Sequence, residues 1–110
     1  MAETSITALI DQGASFEGRL TFEGTVQIAG TFKGEIFTKD TIVINPGSKV
    51  FAQIEAENII ISGYVEGNLF ARRKIIMHPP AVFKGTVTTP SLRIEEGVVF
   101  EGASYMPKSS

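Results

Sequence analysis

The chain repeats itself, and that constrains its fold more than any other feature. A five-residue pattern, Phe-x-Gly-x-Ile, recurs as Phe16-Gly18-Leu20, Phe32-Gly34-Ile36, Val50-Ala52-Ile54, Val65-Gly67-Leu69 and Phe83-Gly85-Val87. It begins once more as Phe100-Gly102-Ser104. The leading residues are separated by steps of 16, 18, 15, 18 and 17. A shorter pattern follows each complete copy after a polar stretch: Val26-Ile28, Ile42-Ile44, Ile59-Ile61, Ile75-Met77 and Leu92-Ile94. Each of these runs into a corner, at Gly30, Gly47, Gly63, the Pro79-Pro80 pair and Gly97. A sustained period of this kind has to be read before any single element.

Within each copy apolar and polar residues alternate. Phe32, Gly34 and Ile36 are interleaved with Lys33 and Glu35, the period-two mark of a half-buried strand. Helical repeats would space their apolar residues by three and four, so they are excluded. A unit of about 17 residues cannot bury its own apolar face, and successive units must stack to share a core. The predicted fold is all-β: a single-domain parallel β-helix of about six rungs of ~17 residues, with neighbouring rungs about 4.8 Å apart. A hexapeptide coil of opposite hand is the nearest rival. Some apolar pairs do fall six apart (Leu20–Val26, Ile36–Ile42, Leu69–Ile75), but the sixes fail within most rungs.

Gly18, Gly34, Gly67, Gly85 and Gly102 share one slot with Ala52. Crowding beside the inward ladder is the expected cause. A positive φ would also select glycine, and Ala52 argues against it.

The expected organisation is a tail or short end cap over 1–12, a coil over 13–105 and a polar tail over 106–110. Ile6, Leu9 and Ile10 are spaced as one short helical turn behind Thr4 and Ser5. The alternatives there are a membrane foot, a lid over one end of the coil, or a frayed tail. Glu3 and Asp11 flank the apolar trio and the first basic residue is Arg19, which speaks against a foot on acidic lipid. The 110 residues suffice for one domain, and the net charge of −2 with scattered lysines and arginines predicts no nucleic-acid partner. The chain begins with no basic stretch leading into an apolar core, so a cytoplasmic location is expected.

No constellation of reactive groups is apparent. There is no cysteine and a single histidine, so neither a metal site nor thiol chemistry is expected. His78 reads as a solvated corner residue, and Glu95-Glu96 as a charged turn whose side chains diverge. Arg72-Arg73-Lys74 is the one basic cluster, either a solvated turn or a grip on an anionic partner. No glycine-rich loop leads into a Lys-Ser/Thr pair, so no nucleotide site is expected. Catalytic residues, metal and cofactors are all predicted to be none.

The first and last rungs are as apolar as the middle ones, and neither end has a substantial cap. An open strand edge of that kind invites another copy. The candidate polymerisation interface is Phe16, Leu20 and Phe22 at one end and Leu92, Ile94, Val99 and Phe100 at the other. Phe100 is the strongest candidate, because no rung follows it.

The Gly-x-x-Phe-Glu-Gly-x-Leu register at 13–20, the Val-x-Ile-x-Gly-x-Phe-x-Gly run at 26–34 and Ile-Glu-Glu-Gly-Val-Val-Phe-Glu-Gly at 94–102 together resemble the bactofilins. The similarity spans residues 13 to 104. It implies a right-handed, triangular β-helix that polymerises without nucleotide into non-polar filaments. It also implies a bacterial cytoskeletal scaffold, often near the inner face of the membrane, that positions cell-wall enzymes or other partners and influences cell shape. Two other readings are a monomeric β-helix module that binds a protein or glycan, through Arg72-Arg73-Lys74 for example, and an enzyme of the β-helix type.

Overall fold

The structure is a computed structural model and describes residues 6–10 and 13–105. The expected tail residues 1–5, 11–12 and 106–110 lie outside the described residues, as do the side chains of Ile6, Leu9, Ile10 and Phe22. Ten strands make one continuous parallel sheet wound on itself. They are β1 (Ile6–Ile10), β2 (Ser15–Phe22), β3 (Thr25–Ile28), β4 (Thr31–Thr38), β5 (Thr41–Ile44), β6 (Lys49–Ile61), β7 (Tyr64–Met77), β8 (Val82–Thr88), β9 (Leu92–Ile94) and β10 (Val99–Tyr105). The repeat predicted from periodicity is the repeat observed. Phe16, Phe32, Val50, Val65, Phe83 and Phe100 pair in one unbroken row, and Val26, Ile42, Ile59, Ile75 and Leu92 in another. The stacked copies form a β-solenoid of about 5 turns.

The inward slots fill the interior. Phe32, Ile36, Ile42, Ile44, Val50, Ile54, Ile59, Ile61, Val65, Ile75, Met77, Phe83 and Val87 are all fully buried. Parallel stacking superimposes apolar on apolar, so each inward slot stays hydrophobic from rung to rung, one row mixing valine with phenylalanine. Most polar groups that enter this interior have partners, although the buried Oδ1 of Asn58 has none among the described residues. The buried Thr38 hydroxyl donates to the Gly24 carbonyl at 2.7 Å and accepts from the Asp40 N–H at 3.2 Å.

The shared glycine slot has a cause different from the one expected. Its glycines do adopt positive φ, +132° at Gly34 and +136° at Gly85 for instance, while no residue other than glycine does, Ala52 included. Crowding is also present, but against backbone rather than side chains. A Cβ at Gly34 would overlap the Gly18 carbonyl, 2.8 Å from its carbon, and one at Gly85 would lie 2.9 Å from the Gly67 carbon. The two effects are linked, because positive φ aims the Cβ along the stack toward the rung before it. Ala52 escapes both by keeping φ negative and burying its methyl.

The corners are of two lengths, which periodicity alone did not separate. Ala29-Gly30 and Ser62-Gly63 turn in two residues. Asn45-Pro46-Gly47-Ser48, His78-Pro79-Pro80-Ala81 and Glu95-Glu96-Gly97-Val98 take four. Gly30 is therefore equivalent to Ser48, Gly63 and Ala81, and Gly47 to Pro80 and Gly97. The four-residue corners close on themselves, with Ser48, Ala81 and Val98 N–H groups bonded to Asn45, His78 and Glu95 carbonyls at 3.2, 2.9 and 3.2 Å. These insertions account for two residues of the unevenness, and the remaining one lies between the two motifs, where Val50 to Ile59 and Phe83 to Leu92 span 9 residues and the other copies 10.

The helical turn expected at Ile6, Leu9 and Ile10 is a strand instead. Ala8, Leu9 and Ile10 pair in parallel with Val26, Gln27 and Ile28. A single helical turn has too few hydrogen bonds to offset its nucleation, whereas the edge of β3 offers a ready ladder.

Gly85→Ala is expected to lower stability in urea by at least roughly 1–3 kcal/mol from backbone strain alone. Gly18→Ala should be milder, since its nearest atom is the Phe16 ring at 3.5 Å, an ordinary contact.

Candidate functional site

The coil ends are where the stacking rule stops being satisfied. Ile94 occupies the same inward slot as Ile28, Ile44, Ile61 and Met77, yet it is 40% exposed and they are 0%. Phe16 is 39% exposed in a slot where Phe32, Val50, Val65 and Phe83 are 0%. Among the described residues each is covered on one side only. Phe16 stacks on Phe32 with ring centroids 5.6 Å apart and planes 8° from parallel. Phe100 lies on Phe83 at 5.4 Å in the same way at the opposite end. Leu20, Leu92 and Phe100 are half-buried against the core.

The structure thus brings Phe16 and Leu20 together on the N-terminal end, and Leu92, Ile94 and Phe100 on the C-terminal end. Phe22 lies in β2, opposite Thr38. Val99 differs. It pairs with Val82 in the outward row that also holds Lys49 and Tyr64, so it borders the end on the outside instead of paving it. Tyr105, 60% exposed at the end of β10, was not anticipated. Its outward position follows from alternation beyond Ser104, so the pattern was available.

The outward rows carry a second regularity. Glu17, Lys33, Phe51, Glu66, Lys84 and Glu101 follow one another along the stack. No two like charges are neighbours in it. In-register side chains of one sign would repel at this spacing, so alternation is the tolerable arrangement. Beside it Arg19 pairs with Glu35 at 2.9 Å. Lys33 lies over the Phe51 ring at 5.8 Å.

The basic cluster is partly occupied. The Arg72 guanidinium reaches Glu55 and Glu57, each at 3.3 Å, and donates to the Thr38 carbonyl at 3.2 Å. It braces three rungs at one corner. Nδ1 of His78 lies 2.8 Å from Oε1 of Glu95 on the next rung, so this histidine has a specific neighbour where a merely solvated one was expected. Among the described residues no group of three or more His, Asp or Glu side chains is placed to hold a metal ion, and no helix is long and apolar enough to cross a membrane.

A wound parallel sheet whose terminal rungs leave Phe16 and Ile94 part-exposed among the described residues defines a class: a β-solenoid. Residues 8–105 match the family described as bactofilin, polymer-forming cytoskeletal. The chain belongs to the bactofilin family. It is 29% identical over 94 residues to bactofilin BacO of Myxococcus xanthus strain DK1622, covering 86% of this chain and 75% of BacO. It is also 29% identical over 85 residues to BacP of the same strain, covering 77% of this chain but only 35% of BacP. Among solved structures it resembles the cryo-EM reconstruction of Thermus thermophilus bactofilin double helical filaments. That match has a TM-score of 0.85 and 25% identity, and covers 91% of this chain and 99% of that one. The bactofilin BacA structure from solid-state NMR has the same fold, with a TM-score of 0.84 at 24% identity, covering 96% of this chain and all of that one.

Arg72→Ala should cost about 0.5–1 kcal/mol, the range for an exposed ion-pair network, read as a small drop in melting temperature. Assembly should be unaffected, because Arg72 lies away from both ends.

Proposed function

We propose that the protein is the subunit of a cytoskeletal scaffold that grows, without nucleotide, by stacking coil ends on one another. The observation that carries this reading is the contrast between Ile94 or Phe16 and their fully buried slot mates. Every interior rung buries these slots between two neighbours, and at each end one neighbour is missing among the described residues. A second copy restores it, and the open backbone edges of β1, β2, β9 and β10 continue their ladders at the same time. Membership of a polymer-forming family supports the same reading, as does the likeness to a bactofilin resolved as a filament.

The filaments join like end to like end and so have no overall direction. They act as a scaffold for cell-wall enzymes or other partners, with an influence on cell shape and a place at the inner face of the membrane. No step in this assembly needs a bound nucleotide, because the free energy comes from apolar burial and strand pairing. A monomeric module gripping its partner through Arg72 is disfavoured by the carboxylates that already occupy that guanidinium.

Phe100→Arg should leave the coil folded and abolish long assemblies, because a guanidinium would be trapped in the joint without a partner. Burial of the native ring there contributes roughly 1.5–3 kcal/mol per molecule. Sedimentation and negative-stain microscopy check it, and filaments of normal length from this variant would remove Phe100 from the interface.

A further inference from the structure

We propose that Glu17 and Arg19 fix the register of the joint between two N-terminal ends, pairing each with the other residue on a second copy. The inference deepens the scaffold reading and rests on it. It starts from the outermost strand at that end, Ser15-Phe16-Glu17-Gly18-Arg19-Leu20-Thr21 of β2, whose edge away from β4 has no partner strand among the described residues. Read in both directions from Gly18, this strand is self-complementary: carboxylate against guanidinium, Phe16 against Leu20, Ser15 against Thr21.

Two N-terminal ends that meet about a two-fold axis run their β2 strands antiparallel. With the axis through Gly18, Glu17 of each copy faces Arg19 of the other, and Phe16 faces Leu20. Opposed side chains in such a pair lie about 4.5–5.5 Å apart, within reach of an ion pair. Shifting the register by one residue would set inward side chains against outward ones, which a filled interior forbids. Shifting it by two in either direction places Glu17 opposite Glu17 or Arg19 opposite Arg19. Of the registers that keep the core continuous, the one centred on Gly18 is therefore the one that opposes unlike charges.

A head-to-tail joint gives the reverse result. Continuing the stack would set Glu101 of the last rung against Glu17 of the first, since both occupy the same outward row. No like-charge neighbours exist anywhere in that row within the molecule, and this joint would create a pair. It would also place the Ser104 hydroxyl against Leu20 and leave Arg19 facing Ala103. Both acting groups are available, as Glu17 is exposed and makes no ion pair among the described residues. Arg19 uses its Nε toward Glu35 with 71% of its side chain still exposed, so its terminal nitrogens are free to reach across.

Charge exchange tests the assignment by sedimentation and negative-stain microscopy at low salt. Glu17→Arg should raise the concentration needed for pelleting by about tenfold or more, since like charges would then face each other twice in each joint. It should leave short particles joined through their C-terminal ends. Glu17→Arg combined with Arg19→Glu should restore filaments, and high salt should shrink the defect of the single variant. Cooperative melting would show that the variants fold, with a modest drop expected because the substitutions set like charges against Lys33 and Glu35. Filaments from Glu17→Arg as long as those of the unaltered chain, or longer, would overturn the proposal, because a head-to-tail joint gains an unlike pair with Glu101 from that substitution. Failure of the unaltered chain to assemble would sink the scaffold reading itself, a distinct result.

A second measurement does not depend on charge. The chain has no cysteine, so Ser15→Cys and Thr21→Cys can be made in separate preparations and mixed. The proposal expects a disulfide-linked dimer on oxidation of filaments grown from the mixture, and none from either preparation alone. Filaments from the mixture that yield no such dimer would overturn it.

Discussion

Every feature of this molecule depends on one constraint: parallel rungs in register put each side chain directly against its own slot mate. The backbone ladder imposes it, because a one-residue slip would exchange inside for outside along a whole rung. Apolar slots profit from the arrangement, since equal shapes stack into continuous ladders. Charged slots suffer from it, because equal charges are held at the distance of a strand pair. The interior is accordingly apolar in every rung, while the outward row from Glu17 to Glu101 sets no like charges side by side. Phe32, Val50, Val65 and Phe83 illustrate the first response, and Glu17, Lys33, Glu66 and Lys84 the second.

Much of the fold was legible because the constraint writes itself into the chain as a repeat. Period-two alternation and the Phe-x-Gly-x-Ile register placed the stacked strands and the inward residues correctly. What stayed hidden was whatever alternation does not encode. Corner length was one such feature: Gly30 and Gly47 both look like punctuation, yet one closes a two-residue corner and the other sits inside a four-residue one. Conformation at the glycine slot was another. Ala52 spoke for crowding because it implied that the slot tolerates a methyl, but the backbone at Ala52 differs from that of the glycines it stands among. An occupant that changes the local dihedral is a poor witness to the others.

The end residues show the same division. The place of Phe16, Leu20, Leu92, Ile94 and Phe100 on the terminal rungs followed from their slots alone, since knowing that a rung is terminal is enough to know that its inward side chains are half covered. Val99 was misjudged on apolarity, although the parity that makes Phe100 inward makes its neighbour outward. Arg72 and His78 needed coordinates. Their partners Glu55, Glu57 and Glu95 lie one rung away, at separations of 15 to 17 residues, and only the true corner lengths bring them together.

The two responses to stacking meet at the ends, where they answer different questions. Apolar slots make the ends adhesive, but they are poor at choosing a partner, because Phe16 finds a suitable surface on Leu20 of a like end or on Phe100 of an unlike one. Dispersion and burial are nearly indifferent to that choice. Charge is not indifferent, since opposition of unlike signs is favourable in one register and unfavourable in its neighbours. A coil whose middle obeys alternation for the sake of its own stability therefore acquires directional preference at its ends without any added element. In the proposed joint the charges of the end rungs, Glu17 and Arg19 at one end and Glu101 at the other, would select what stacks next.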